Sequence, residues 1–203
     1  MYRNYFAEVG GETGQRQDRQ LNNLADLQTA LGDVGSCVVV RNGYTFSDAE
    51  RLRRLNACLA ELDHEWLMGH HRIGLQQRVE ITFTTRFVEP TTATHVTQAF
   101  CSALSCGYTG GGQALWAPLA SLVLDAAYEA TLCAAVVDAN EGDGTGTVWL
   151  TQLGGGAFGN ELSWIGNASR RAVERMRNHD LDVRIAHHQR LRPEIVRLCP
   201  GTV

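Results

Sequence analysis

The residues with the clearest chemical potential are the glycines of segment 154–160, GGGAFGN. They follow TVWL at 147–150, a run of β-forming residues, and they precede apolar side chains at helical spacing over 162–176. Glycines allow main-chain N–H groups to approach a phosphate closely, and the first turn of a helix attracts negative charge. The sequence therefore predicts an anion-binding loop between a strand and a helix.

The spacing of these glycines excludes the two best-known nucleotide loops. No Lys-Ser or Lys-Thr follows them, so the lysine of a P-loop is missing. The order GGGAFG also departs from the dinucleotide pattern G-x-G-x-x-G, and it lies in the last third of the chain. A tight turn between a strand and a helix would need only one or two glycines. The glycine-rich run therefore favours a ligand loop over a purely structural turn.

Length and composition indicate one globular domain over residues 1–203, because 203 residues with 44% hydrophobic content suffice for a single core. A net charge of -4 without a block of like charge argues against a nucleic-acid partner. The sequence shows no apolar run of about 18 residues and no signal-peptide pattern at its start, so we expect no membrane partner. These features predict a cytoplasmic protein.

All 18 basic residues are arginine, which excludes lysine Schiff-base chemistry. Two explanations stay open: a coding bias, or avoidance of ubiquitination by a protein delivered into a host cell. The six cysteines never form a C-x-x-C pair, and the histidines lack companions at metal spacing. We therefore expect buried free thiols and no metal site.

Strand and helix patterns alternate along the chain. Alternation or apolar runs predict strands at 37–40, 79–88, 95–106 and 181–187, besides the strand before the glycine loop. Leucine periodicity predicts helices at 21–31 and from about residue 49, the latter with Ser47 and Glu50 as a capping box, and an apolar helix at 116–137 with Pro118 in its first turn. This order predicts an α/β fold with a mainly parallel or mixed sheet.

Residues 91–188 resemble the second half of a macrodomain, an ADP-ribose-binding fold. The resemblance rests on VTQAFCSALSCGY, LDAAYEATLCAAV, TVWLTQLGGGAFGN, the helix from Glu161 and LDVRIAHH. It does not extend over residues 1–90, where the Asn-Ala-Ala-Asn strand of macrodomains is not found. It implies a three-layer α/β/α fold with a mixed, mainly parallel sheet.

LGGGAFGN and AYEATL look closest to an atypical macrodomain branch that includes bacterial effectors removing ADP-ribose from arginine side chains. The resemblance thus implies an ADP-ribosylhydrolase acting on ADP-ribosylated protein, with ADP-ribose as ligand or product and no further cofactor. Two alternatives stay open: an ADP-ribose reader without turnover, and a protein-interaction module whose glycine loops are only structural.

The same resemblance assigns the ligand contacts. The loop would wrap the diphosphate and the adjoining ribose, and Ser102 and Tyr108 would line the same crevice. One of the two histidines at the end of the closing strand, His187 or His188, would stack on the base, and His188 is the preferred candidate. Each of these residues has an alternative role without ligand contact: Phe158 as an ordinary core residue, Tyr108 as a loop aromatic residue and His188 as a solvent-exposed side chain. The loop residues concerned are Gly154, Gly155, Gly156, Ala157, Phe158, Gly159 and Asn160.

Cleavage at the ribose anomeric carbon passes through an oxocarbenium-like transition state that a carboxylate can stabilise. Glu12 and Asp18, on the polar loop AEVGGETGQRQD at 7–18, are the candidate catalytic acids. Asp125 and Glu129 form a second carboxylate pair on one face of the apolar helix, for which structural contacts are the alternative role.

Overall fold

The structure is a computed structural model that describes residues 7–81, 94–142 and 144–187, together with residues 193 and 196. Helices and strands are both abundant in these residues, and they alternate along much of the chain. The predicted α/β class is therefore confirmed at this level.

The N-terminal region carries short strands and three helices, all before residue 72. Its first two strands form an antiparallel hairpin, and so do its third and fourth. A 3₁₀ turn, Gly32–Cys37, separates the first helix from the second hairpin. The elements are β1 Glu8–Val9, β2 Glu12–Thr13, α1 Ala25–Ala30, β3 Val39–Arg41, β4 Tyr44–Phe46, α2 Ala49–Glu61 and α3 His64–Met68.

The C-terminal region holds the longer elements. A 3₁₀ turn, Cys106–Tyr108, precedes its long apolar helix. The elements are β5 Gly74–Ile81, β6 Thr94–Phe100, α4 Gln113–Asn140, β7 Thr147–Leu150, α5 Leu162–Arg175 and β8 Asp182–Ile185.

Strand pairing in the described residues consists of four separate two-stranded ladders. Strands β5 and β6 are antiparallel, whereas β7 and β8 are parallel and are joined through α5. The side chains of Val148 and Leu150 are buried against α4 and α5, while Trp149 between them is 61% exposed. Helices thus cover one face of the β7–β8 pair.

Helix α4 joins two hydrophobic cores. Trp116 and Leu119 pack with α1, α2 and α3, whereas Leu124 and Leu132 pack with β7 and α5. By length and composition alone α4 could cross a membrane, but core helices pass the same test, and its buried side chains lie in these two cores.

Several boundaries differ from the sequence predictions. Helix α4 begins at Gln113, directly after Gly112 with its φ of 78°, so Pro118 lies in the second turn rather than the first. The predicted capping box at Ser47 is wrong: Asp48 caps α2 by accepting the Arg51 N–H, while Ser47 Oγ donates to the Cys37 carbonyl.

The strands are also displaced. The predicted strand at 95–106 ends at Phe100, after which the chain turns into a loop. The predicted strand at 79–88 is described as β5 only to Ile81, and residues 82–88 lie outside the described residues.

Candidate functional site

Two loops that follow neighbouring strands meet at one end of the molecule. We call residues 151–160, after β7, the glycine loop, and residues 101–112, after β6, the facing loop. The Gly107 N–H donates to the Phe158 carbonyl at 2.8 Å, and the Asn160 amide donates to the Leu104 carbonyl at 2.7 Å. The structure therefore brings the predicted ligand loop and the predicted crevice residues together.

Close packing explains some of the glycines but not all of them. Gly154 and Gly159 both have a φ of 71°, which favours glycine. A Cβ on Gly154 would lie 2.5 Å from the Ala103 Cβ, and one on Gly159 would lie 3.1 Å from Gly107. A Cβ on Gly156 would meet nothing within 4 Å, and Gly156 lies outside the left-handed region. Packing does not require glycine at position 156.

The tip of the glycine loop presents main-chain donors. The N–H groups of Gly155, Gly159 and Asn160 are used within the loop. Among the described residues, none accepts a hydrogen bond from the N–H groups of Gly156, Ala157 and Phe158, and Gly156 and Ala157 are exposed. Three successive open donors ahead of a helix suit a bound anion.

Two hydrogen bonds of the Tyr128 hydroxyl, on α4, fix the start of the glycine loop. Its hydroxyl donates to the Thr151 carbonyl at 2.6 Å and accepts from the Leu153 N–H at 3.1 Å, although the residue is almost fully buried. The sequence offers one signal for this contact, a tyrosine hydroxyl on an otherwise apolar helix. Tyr128 was not predicted as a site residue.

Aromatic side chains cluster at the rim of the two loops. The rings of Tyr44, Tyr108 and Phe158 lie edge to face, with centroids 5.5 to 5.9 Å apart. Tyr44 and Tyr108 are 41% and 53% exposed, and Phe158 is half-buried, so Phe158 belongs to a surface cluster rather than to the core. Sequence reasoning missed Tyr44, which reaches the site because Thr45 and Ser105 are hydrogen-bonded.

Of the remaining predicted contacts, Ser102 lies in the facing loop. Ser102 is exposed, and its hydroxyl donates to the Ala103 carbonyl. His187, which follows β8, shares a 2.9 Å hydrogen bond with Gln152 of the glycine loop. His188 lies outside the described residues. Gln113, which was not predicted, donates to the Gly159 carbonyl at 2.7 Å.

The two predicted catalytic acids lie in the N-terminal hairpin and the turn after it. Glu12 forms an ion pair with Arg19 and a second one with Arg16 at 3.4 Å. The hydrogen bond and charge of Arg19 lower the pKa of Glu12, so Glu12 is a carboxylate at neutral pH. In the part of the chain that the structure describes, no hydrogen bond or ion pair joins Glu12 or Asp18 to the glycine loop. The structure does not bring these acids together with the loop.

The second carboxylate pair stabilises the packing of helices. Asp125 accepts from His64 of α3 at 2.9 Å, and Glu129 pairs with Arg171 of α5 at 2.6 Å. Burial raises the pKa of Asp125, and the hydrogen bond from His64 opposes that shift. These contacts link α3, α4 and α5, and they correspond to the structural role that was the alternative for Asp125 and Glu129.

No cluster of three or more potential metal ligands occurs within residues 7–81, 94–142 and 144–187. Comparison of the chain with protein-family models, with curated proteins and with solved structures gives no match. The assignment of function must therefore come from the loops themselves.

Proposed function

We propose that this protein binds ADP-ribose through the glycine loop and hydrolyses the glycosidic bond of mono-ADP-ribosylated protein, with arginine as the favoured linkage. The observation that carries the proposal is the row of open N–H groups at Gly156, Ala157 and Phe158. These three N–H groups lack acceptors among the described residues. The negatively charged oxygens of a diphosphate are suitable acceptors for them. The proposal includes a macrodomain-like three-layer α/β/α arrangement with a mixed, mainly parallel sheet.

The rigidity of the loop supports anion binding. Tyr128 and Asn160 hold its two ends through buried hydrogen bonds, so the open donors keep their positions without a ligand. Donors fixed in advance lose little conformational entropy on binding. Helix α5 begins directly after the loop, at Leu162, so the positive N-terminal end of its dipole adjoins the loop.

The aromatic rim supports recognition of a nucleotide rather than of inorganic phosphate. Tyr108, which is exposed, and the half-buried Phe158 lie next to the donors and offer apolar surface to a ribose or a base. In the proposed complex, Ser102 lines the same crevice and His188 stacks on the adenine. Gly154, Gly155, Gly159 and Asn160 shape the loop around the phosphates.

Hydrolysis is assigned to the N-terminal acids. Glu12, kept ionised by Arg19, suits electrostatic stabilisation of an oxocarbenium-like transition state better than proton donation. Asp18 would then activate the water, and the guanidinium of an arginine-linked substrate would replace Arg16 or Arg19 as a partner of Glu12. In this proposal the partners are ADP-ribosylated protein and ADP-ribose, and neither nucleic acid nor a membrane is a partner. The proposed site of action is the cytoplasm, either of the producing cell or of a host cell.

The binding step is tested by isothermal titration of the protein with ADP-ribose. Gly156→Glu should abolish binding without loss of stability, because the new carboxylate meets open space but repels the diphosphate. Ala60→Glu is the control, since Ala60 is exposed on α2 and lies outside both loops. Absence of heat with the wild-type protein would overturn the proposal and favour the interaction module.

The catalytic step is tested with protein substrates that carry ADP-ribose on arginine, serine or glutamate. Glu12→Gln and Asp18→Asn should retain ADP-ribose affinity while release of ADP-ribose from arginine falls about a hundredfold or more. Because no described contact joins these acids to the loop, a reader without turnover is the second candidate. Binding without release from any of the three substrates would establish the reader.

A further inference from the structure

A cleft of about 610 Å³ separates β6 from β7. The ends of both strands lie at a similar level along α4, because Cys101 after β6 is 3.9 Å from the Thr131 hydroxyl and the Thr151 carbonyl after β7 accepts from Tyr128. At one end, their following loops meet through Gly107 and Phe158. Further along α4, Asp138 accepts from Gln77 of β5, which lies opposite the middle of β6, at 3.1 Å, and the Asp138 carbonyl accepts from the Gly144 N–H ahead of β7. The strands are therefore parallel neighbours that the cleft holds apart.

The walls of the cleft are strand edges. Within the described residues, β6 pairs with β5 alone and β7 pairs with β8 alone. On β7, the Gly146 and Leu150 carbonyls accept from β8, so the alternating N–H and C=O of Trp149 face the cleft. A sheet edge of this kind pairs readily with a further strand.

The floor of the cleft is a face of α4 with small side chains, which the described residues cover only in part. Thr131, Ala134 and Ala135 of α4 lie along it and are only partly buried. The most apolar stretch of α4 has a mean hydropathy of 1.5, yet only 44% of that stretch is buried. A helix with apolar residues all round is normally buried all round.

The size of the cleft matches one strand. A four-residue strand in a packed sheet occupies about 13 Å by 4.8 Å by 10 Å, or roughly 600 Å³. Strand β7, which forms one wall, is four residues long. Small side chains on the floor leave room for larger ones from an added strand.

We propose that the cleft binds an extended segment of another protein as an added β-strand between β6 and β7. The result is one continuous sheet of β5, β6, the added strand, β7 and β8. A second copy of this chain offers no suitable strand in the described residues, because β1 to β4 are two or three residues long and β5 to β8 are already paired.

The walls and floor also define the chemistry of the segment. Main-chain hydrogen bonds on both edges require an extended backbone, and the alanines of α4 require apolar side chains at alternate positions. Asp138 lies at the end of the cleft away from the glycine loop and is 8% exposed. A basic side chain on the same face of the segment would meet it there.

The test uses two fluorescein-labelled peptides, Arg-Thr-Val-Thr-Val-Thr and the reversed order, because the strand direction is not fixed by the cleft. Saturable binding by fluorescence anisotropy is expected for one of them, in the absence of ADP-ribose. Amide exchange should then slow at both Thr94–Phe100 and Thr147–Leu150. No binding of either peptide, or protection of one strand alone, would overturn the proposal, whatever the outcome with ADP-ribose.

Two matched controls isolate the mechanism. The same peptide with N-methylated valines has lost the donors for one wall and should not bind, while the protein is unchanged. Ala134→Asp should weaken binding about tenfold or more by placing a carboxylate in the floor, whereas Val137→Asp on the same helix lies outside the cleft and should not. Retained binding of the methylated peptide, or a dimer with both strands protected without peptide, would overturn the proposal.

Discussion

The glycine loop and the N-terminal region, residues 7–72, hold the side chains of their proposed sites by different contacts. Around the glycine loop, the Tyr128 hydroxyl and the Asn160 side-chain N–H are hydrogen-bonded to main-chain groups, while the buried Asn160 Oδ1 has no hydrogen-bond partner among the described residues. In the N-terminal region, Glu12 depends on exposed ion pairs, and His71 is buried with no hydrogen-bond partner for either ring nitrogen among the described residues.

This difference separates the two proposed activities physically. Buried, paired hydrogen bonds fix positions because breaking one leaves an unsatisfied polar group. Exposed ion pairs contribute little and are screened by salt. Ligand binding at the glycine loop should therefore tolerate changes in salt and pH better than catalysis by the N-terminal acids.

The largest effect is expected inside the glycine loop. Gly154→Ala should lower the free energy of unfolding by about 3 kcal/mol, because it combines a left-handed residue with a Cβ 2.5 Å from the Ala103 Cβ. Gly156→Ala, two residues away, should change it by no more than about 0.5 kcal/mol. Urea unfolding of both variants measures the contrast, and equal losses would mean that the loop is not held as described.

A smaller effect is expected on acidification, through His71. Burial lowers the pKa of His71 to about 4, against about 6.5 in the unfolded chain. Between these values the unfolded chain binds more protons, so stability is lost as the pH falls from about 6.5 to 4. The loss from this residue is about 2 kcal/mol at pH 5.

Thermal unfolding of His71→Leu across this pH range checks the assignment. The variant should lose part of the acid sensitivity, whereas His179→Leu, at an exposed histidine, should keep it. Identical pH profiles for His71→Leu and the wild-type protein would show that His71 has a partner or is not buried.

The smallest effect on stability is expected at Arg19. Because Arg19 lowers the pKa of Glu12, Arg19→Gln should raise that pKa. If hydrolysis depends on Glu12 as a carboxylate, the acid limb of its pH profile should move to higher pH, while the melting temperature stays unchanged. Arg54→Gln, at an exposed arginine on α2, is the control, and equal pH profiles for the two variants would remove Glu12 from the mechanism.

Local periodicity in the sequence was enough to find most helices and the order of strand, glycine loop and helix. It could not find contacts between distant segments: Tyr44 reaches Phe158 across more than a hundred residues, and Tyr128 reaches Thr151 from another element. The cap of α2 is Asp48 rather than the predicted Ser47, because the Ser47 hydroxyl donates to the Cys37 carbonyl. Strand partners likewise depend on packing rather than on local pattern.

The continuity of α4 has a consequence for how the molecule unfolds. Its 28 residues span about 42 Å, and the same helix supplies Trp116 to one core and Leu132 to the other. Neither core can lose its packing without fraying the helix on which the other depends. The two regions should therefore melt in a single cooperative transition, with calorimetric and van't Hoff enthalpies that agree.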